Sequence, residues 1–130
     1  MDRSIITKYT VCILAATVMF TACAGTRKSY LPARVSSYHD AYKWKNFHRA
    51  AMFVDDPEDF LRKMKKTDQR IEIAEYEIIS LRVNEECIEA IVEIRRTYTV
   101  SPSVTAHSQI VEQKWKFDRK KKDWFLVSPY

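Results

Sequence analysis

Hydrophobic positions change their spacing twice along this chain. From Tyr9 to Phe20 they run almost unbroken, "YTVCILAATVMF", and no charge appears from Tyr9 to Thr26. Residues 24–37, "AGTRKSYLPARVSS", are read as following neither a helical nor a strand period, with Pro32 interrupting them, so they predict a tether. Helical spacing starts at "SYHD", where Ser37 and Asp40 make a capping-box-like beginning. Trp44, Phe47, Ala51 and Val54 then recur at intervals of three and four, which predicts one buried helix face. "DDPEDFLRKMKK" predicts a second helix, with Asp56 as N-cap and Pro57 at the first helical position. Glu58 and Asp59 suit the positive end of its dipole, and Lys63, Lys65 and Lys66 the negative end.

From Arg70 the period becomes two. "RIEIAEYEIISLRV" alternates, but its phase slips twice, from Ile73 to Tyr76 and from Ile78 to Ile79, which predicts a long, bent strand. "CIEAIVEIRRTYTV" has a clean inner set at Ile88, Ala90, Val92, Ile94, Tyr98 and Val100, opened by Cys87 as a small buried or edge residue. "VTAHSQIVEQKWKF" and "WFLVSPY" follow, joined by a hairpin around "DRKKKD". The pattern is α+β: two N-terminal helices packed on a curved four-stranded antiparallel sheet, over residues 37–130. The paired helices, bent strands and closing hairpin "QKWKFDRKKKDWFLVS" resemble the nuclear transport factor 2-like superfamily across residues 37–128. That resemblance implies a cone of sheet wrapped around the helices. A short cystatin-like sheet is the competing architecture, normally with one dominant helix.

Arg3 and Lys8 ahead of the apolar run make it an export signal; an uncleaved anchor is the alternative. The small residues Thr21, Ala22, Ala24, Gly25 and Thr26 at its end favour a peptidase site over a span. "FTAC" resembles the lipobox of bacterial lipoproteins, with Phe20 in the place of the preferred Leu. The resemblance implies cleavage after Ala22, a diacylglycerol thioether on Cys23, and acylation of the new amino terminus. Two or three acyl chains hold a protein stably to a bilayer where one holds marginally. Ala24 after the cysteine implies the outer membrane, facing the periplasm, in a Gram-negative host. Cys12 leaves with a signal of residues 1–22, so Cys87 is the one thiol remaining after the tether of residues 23–36.

Composition narrows the function. A single glycine, Gly25, excludes a glycine-rich phosphate loop. The net charge of +5 is spread among 17 acids with no nucleic-acid recognition motif, so no nucleic acid is expected as a partner. No cofactor is implied. Arg96 falls on the apolar face of its strand between Ile94 and Tyr98, and His107, Gln109 and Gln113 share the next strand's face with Trp115. Apolar walls with a few placed polar groups describe a ligand pocket, here with Arg96 as anion partner. The opposing reading has Arg96 snorkelling to the sheet rim or paired with Asp40 or Glu77. An isomerase- or hydrolase-like enzyme would need His107 with a carboxylate beside it. His39 and His48 read as surface or cap residues, nine positions apart and unsuited to joint metal binding. "DRKKKD" reads as a solvated hairpin tip, or as a contact with anionic headgroups. The expected function is a non-catalytic, membrane-tethered binding or assembly module. The alternatives are a periplasmic carrier or sensor of a small apolar anion and the His107 enzyme.

Overall fold

A computed structural model describes residues 27–130. The readings of Ala22 and Cys23 as processing and lipidation positions lie outside these residues. The chain is helical over 27–43 (α1), then forms a short helix Phe47–Ala50 (α2), a 3-10 turn Ala51–Phe53 and a helix Pro57–Lys65 (α3). Four strands follow: β1 (Ile71–Val83), β2 (Glu89–Val100), β3 (His107–Asp118) and β4 (Asp123–Val127). They pair antiparallel in the order β1-β2-β3-β4, a meander. The α+β architecture is as expected, with three helices in place of two.

The first helix corrects the sequence reading most. Residues 27–36, expected as tether, are its opening turns, and the domain therefore starts well before Ser37. Leu31, Val35 and Tyr38 recur at helical spacing and are fully buried. Burying each contributes roughly 1.5–3 kcal/mol, which together outweighs the ~3 kcal/mol that a proline such as Pro32 costs a helix. The helix ends where Lys45 takes a left-handed φ of 56°. The Lys45 amide donates to Tyr42 O at 3.0 Å and that of Asn46 to Ala41 O at 2.9 Å, a Schellman closure made without glycine. That reversal swings Trp44, expected in the core, out to 77% exposure. Asn46 then caps α2, accepting from the Arg49 amide at 3.2 Å.

The second expected helix forms as read. Asp56 Oδ1 accepts from the Asp59 amide at 3.1 Å, Pro57 is the first helical residue, and Phe60 and Met64 are buried. In the sheet, register shifts fall between Ile73 and Glu75 and between Ile78 and Ser80, at the two phase slips. Each shift lets an extra residue bend the strand. Cys87 does not open β2; it sits half-buried in the preceding turn at φ 55°, where Asn84 Oδ1 accepts from the Ile88 and Glu89 amides. The core lies between the inner sheet face (Ala90, Val92, Ile94, Trp115, Trp124, Leu126) and the helices. The short β4 is covered at its edge by a parallel bridge from Val54 to Leu126, extended by the Asp55 amide to Leu126 O at 2.9 Å.

If α1 is docked from its first turns, Leu31→Ala should cost about 2–5 kcal/mol in chemical denaturation. Trp44→Ala should cost less than about 0.5 kcal/mol. Equal small effects at both positions would mean that the opening turns do not belong to the core.

Candidate functional site

A cleft of about 240 Å³ opens where the end of α1, the start of α2 and the loop before β1 meet the inner face of β1–β3. Tyr42 and Phe47 form its helical wall, and Ile71, Ile73 and Tyr98 its sheet wall. Arg96 and Gln109, cross-strand partners in the β2–β3 register, supply polar atoms. The Arg96 guanidinium lies 5.3 Å from the centre of the Tyr42 ring, a cation–π contact. Its Nε is buried with no hydrogen-bond partner among the described residues.

The acids named as possible partners for Arg96 are engaged elsewhere. Asp40 accepts from the Tyr76 hydroxyl at 2.6 Å, and Glu77 pairs with Arg95 at 3.2 Å. Two other charged side chains at the cleft, Lys45 and Asp68, are also engaged: Lys45 Nζ reaches Glu72 at 2.9 Å and Gln69 O at 2.7 Å. Asp68 is gripped by Arg70, whose hydrogen bonds hold its carboxyl down at about 2. The cleft therefore presents an apolar cup with a cation that no carboxylate in the described residues neutralises.

Of the six residues the sequence groups as a pocket, Arg96, Tyr98 and Gln109 line this cleft. His107 does not; it is exposed at the start of β3, its ring stacked on Tyr98 at 5.4 Å. Gln113 and Trp115 share the face but lie deeper, fully inside the core. There Gln113 Oε1 accepts from Trp115 Nε1 at 3.4 Å and faces His39 Nε2 at 3.1 Å. The indole can only donate, so it fixes the amide orientation and places the histidine proton on Nε2. His39 is thus a core residue at 3% exposure, not a surface or cap residue. The sequence reading put Phe47 on a buried helix face but not in the cleft, and left out Tyr42, whose spacing from Tyr38 carried the signal.

Burial, chiefly, drives the His39 pKa down to about 4; Arg96 lowers it further, while Gln113 and Asp40 oppose the shift. His39 is neutral near pH 7 and stacks on Tyr76 at 5.1 Å. Burial, then the Asp40 contact, pushes the Tyr76 phenol up to about 12. His107 makes no hydrogen bond to a carboxylate among the described residues, and these contain no cluster of three metal-ligating side chains.

No protein family matches the chain by sequence, and neither does any curated protein. In three dimensions it is similar to a ketosteroid isomerase-like protein from Erwinia carotovora atroseptica SCRI1043. The TM-score is 0.58 at 10% identity, over 75% of this chain and 88% of that one. It is also similar to an LEH-like epoxide hydrolase of M. tuberculosis, with TM-score 0.52 at 10% identity over 73% and 79% of the two chains. The fold is nuclear transport factor 2-like. At such identity the likeness establishes the fold alone.

His39 gives a pH test. A folded pKa near 4, below the unfolded value near 6.5, means that the unfolded chain binds the extra proton between those values. The His39 contribution is complete above pH 6.5 and should fade toward pH 4, by on the order of 3 kcal/mol. Denaturation of wild type and His39→Gln across this window checks it: the variant should lose that part of the slope. Parallel slopes would show that His39 titrates normally.

Proposed function

We propose that this chain is a membrane-tethered, non-catalytic binding module of a bacterial envelope, whose cleft takes a small anion with an apolar body. The observation that carries the reading is Arg96: an inward cation with a buried Nε, no carboxylate partner among the described residues, and an aromatic cup around it. Arg96 is half-buried, and a partly desolvated charge without a carboxylate partner carries a cost that an anionic ligand held by charge-assisted hydrogen bonds offsets. At about 240 Å³ the cleft lies below the roughly 300–1,000 Å³ of most ligand sites, which favours a compact molecule. The lipobox-like "FTAC" supports attachment through acyl chains on Cys23, at an outer membrane facing the periplasm. Among the described residues no helix is long and apolar enough to cross a membrane.

The enzyme reading has the fold in its favour, since the similar structures include an epoxide hydrolase. Among the described residues no carboxylate is hydrogen-bonded to His107, and the buried His39 is not part of the cleft wall. The binding reading uses the groups that are present.

Native mass spectrometry of the membrane-purified protein tests both halves. Wild type should carry acyl mass on a chain beginning at Cys23, together with a small acidic molecule. Cys23→Ser should lose the acyl mass; a wild-type chain that keeps residues 1–22 without it would sink the anchor. Arg96→Met should melt at the same temperature or higher, because an unmatched charge gives way to an apolar chain. It should also lose the acidic molecule, with affinity down about ten- to a hundred-fold. A destabilised Arg96→Met variant, with no ligand on wild type, would make Arg96 part of the scaffold.

A further inference from the structure

The basic residues look interleaved in sequence, but the fold gathers some of them at one end. The base of the β3–β4 hairpin meets the first turns of α1, with Lys122 and Asp123 beside Tyr30 and Arg34, and the tip Arg119 to Lys122 continues from it. Trp124 Nε1 donates to Arg27 O at 2.9 Å, and the Arg27 guanidinium sits 4.7 Å from the Phe117 ring centre. Arg34 Nε reaches the Trp124 carbonyl at 3.1 Å and Asp123 at 3.2 Å, so Asp123 is neutralised from within. Arg27, Lys28, Arg119, Lys120, Lys121 and Lys122 remain without ion pairs among the described residues, opposed only by Asp118. That end is as positive as the entire chain at +5. Tyr30, 61% exposed, shares a hollow with Lys122 beside this cluster.

We infer that this end is a docking surface for the phosphate headgroups of an anionic bilayer. Cys23 is four residues from Arg27, so even a fully extended chain keeps the two within about 14 Å. An attachment at Cys23 therefore brings these cations to the headgroup layer. A cluster of roughly four to eight Lys and Arg beside a membrane attachment binds anionic lipid, and an exposed tyrosine suits the interface between apolar and wet layers. The surface rests on the attachment proposed above and adds an orientation to it: hairpin tip toward the lipid, Arg96 cleft away. The charges reinforce what the acyl chains begin, as a second signal does for lipid anchors generally.

The test uses the full chain in vesicles of phosphatidylcholine alone, or with phosphatidylglycerol added. Flotation with neutral vesicles reports the attachment. In the floated fraction, a membrane-impermeant amine-acetylating reagent read by mass spectrometry reports the orientation. On anionic vesicles, labelling of Lys28, Lys120, Lys121 and Lys122 should fall several-fold relative to Lys65 and Lys66 on α3 and its cap. It should recover near 1 M NaCl, where the Debye length is about 3 Å. Lys120→Glu with Lys121→Glu should restore labelling of Lys28 and Lys122 without altering flotation on neutral vesicles. Flotation with unchanged labelling ratios would overturn the surface while leaving the attachment standing. Equal protection of every lysine would overturn it too, as adsorption by net charge alone. Protection by a single-stranded RNA, where anionic vesicles give none, would assign the cluster to a different polyanion and likewise overturn it.

Discussion

The packing of α1 against two buried tryptophans organises this domain. Trp115 on β3 and Trp124 on β4 are completely covered, and Leu31, Val35 and Tyr38 belong to the same core. The Tyr38 ring meets that of Trp115 edge-on at 6.0 Å. The indole of Trp124 and the side chain of Arg34 add polar bonds at the helix start, the latter to a backbone carbonyl at 3.0 Å. These contacts fix which sheet face is inside and which end of the helix meets the hairpin. They also bring Tyr42 over Arg96. A shift of one helical turn would remove the helical wall of the cleft.

The strands were legible in the sequence because a period of two survives almost any tertiary context. Even the two irregularities of β1 appeared as phase slips before Glu75 and Ser80. The cap and first turn of α3 were legible because Asp56 and Pro57 act locally. What misled was a local signal overridden by burial. Pro32 argued against a helix, and the stripe of Leu31, Val35 and Tyr38 outweighed it. The site was half legible for the same reason. Alternation put Arg96, Tyr98 and Gln109 on the inner face, but it gives no depth along the strand. Gln113 and Trp115 therefore shared the face while lying far inside.

The inner face also separates two kinds of polar residue. His39, Gln113 and Trp115 largely satisfy one another, leaving the Gln113 Nε2 as the unmatched atom. Such a network orders a core, and its members face each other. Arg96 differs, since its guanidinium meets the face of the Tyr42 ring and lines an open cleft. The contrast between polar atoms turned inward on each other and a cation lining an open cleft sets the binding reading apart from a structural one.

The α1 helix has one further consequence. Its 17 described residues span about 25 Å, with the basic hairpin at one end and the Arg96 cleft at the other. A protein resting on its hairpin end would hold the cleft mouth roughly that far from the lipid surface, beyond two Debye lengths at physiological salt. Molecules would then reach Arg96 from the aqueous side, not by sliding out of the leaflet, and negative lipid beneath would hardly alter their affinity. In that pose the helix would act as a standoff and let the two ends of the domain be occupied at once without competing.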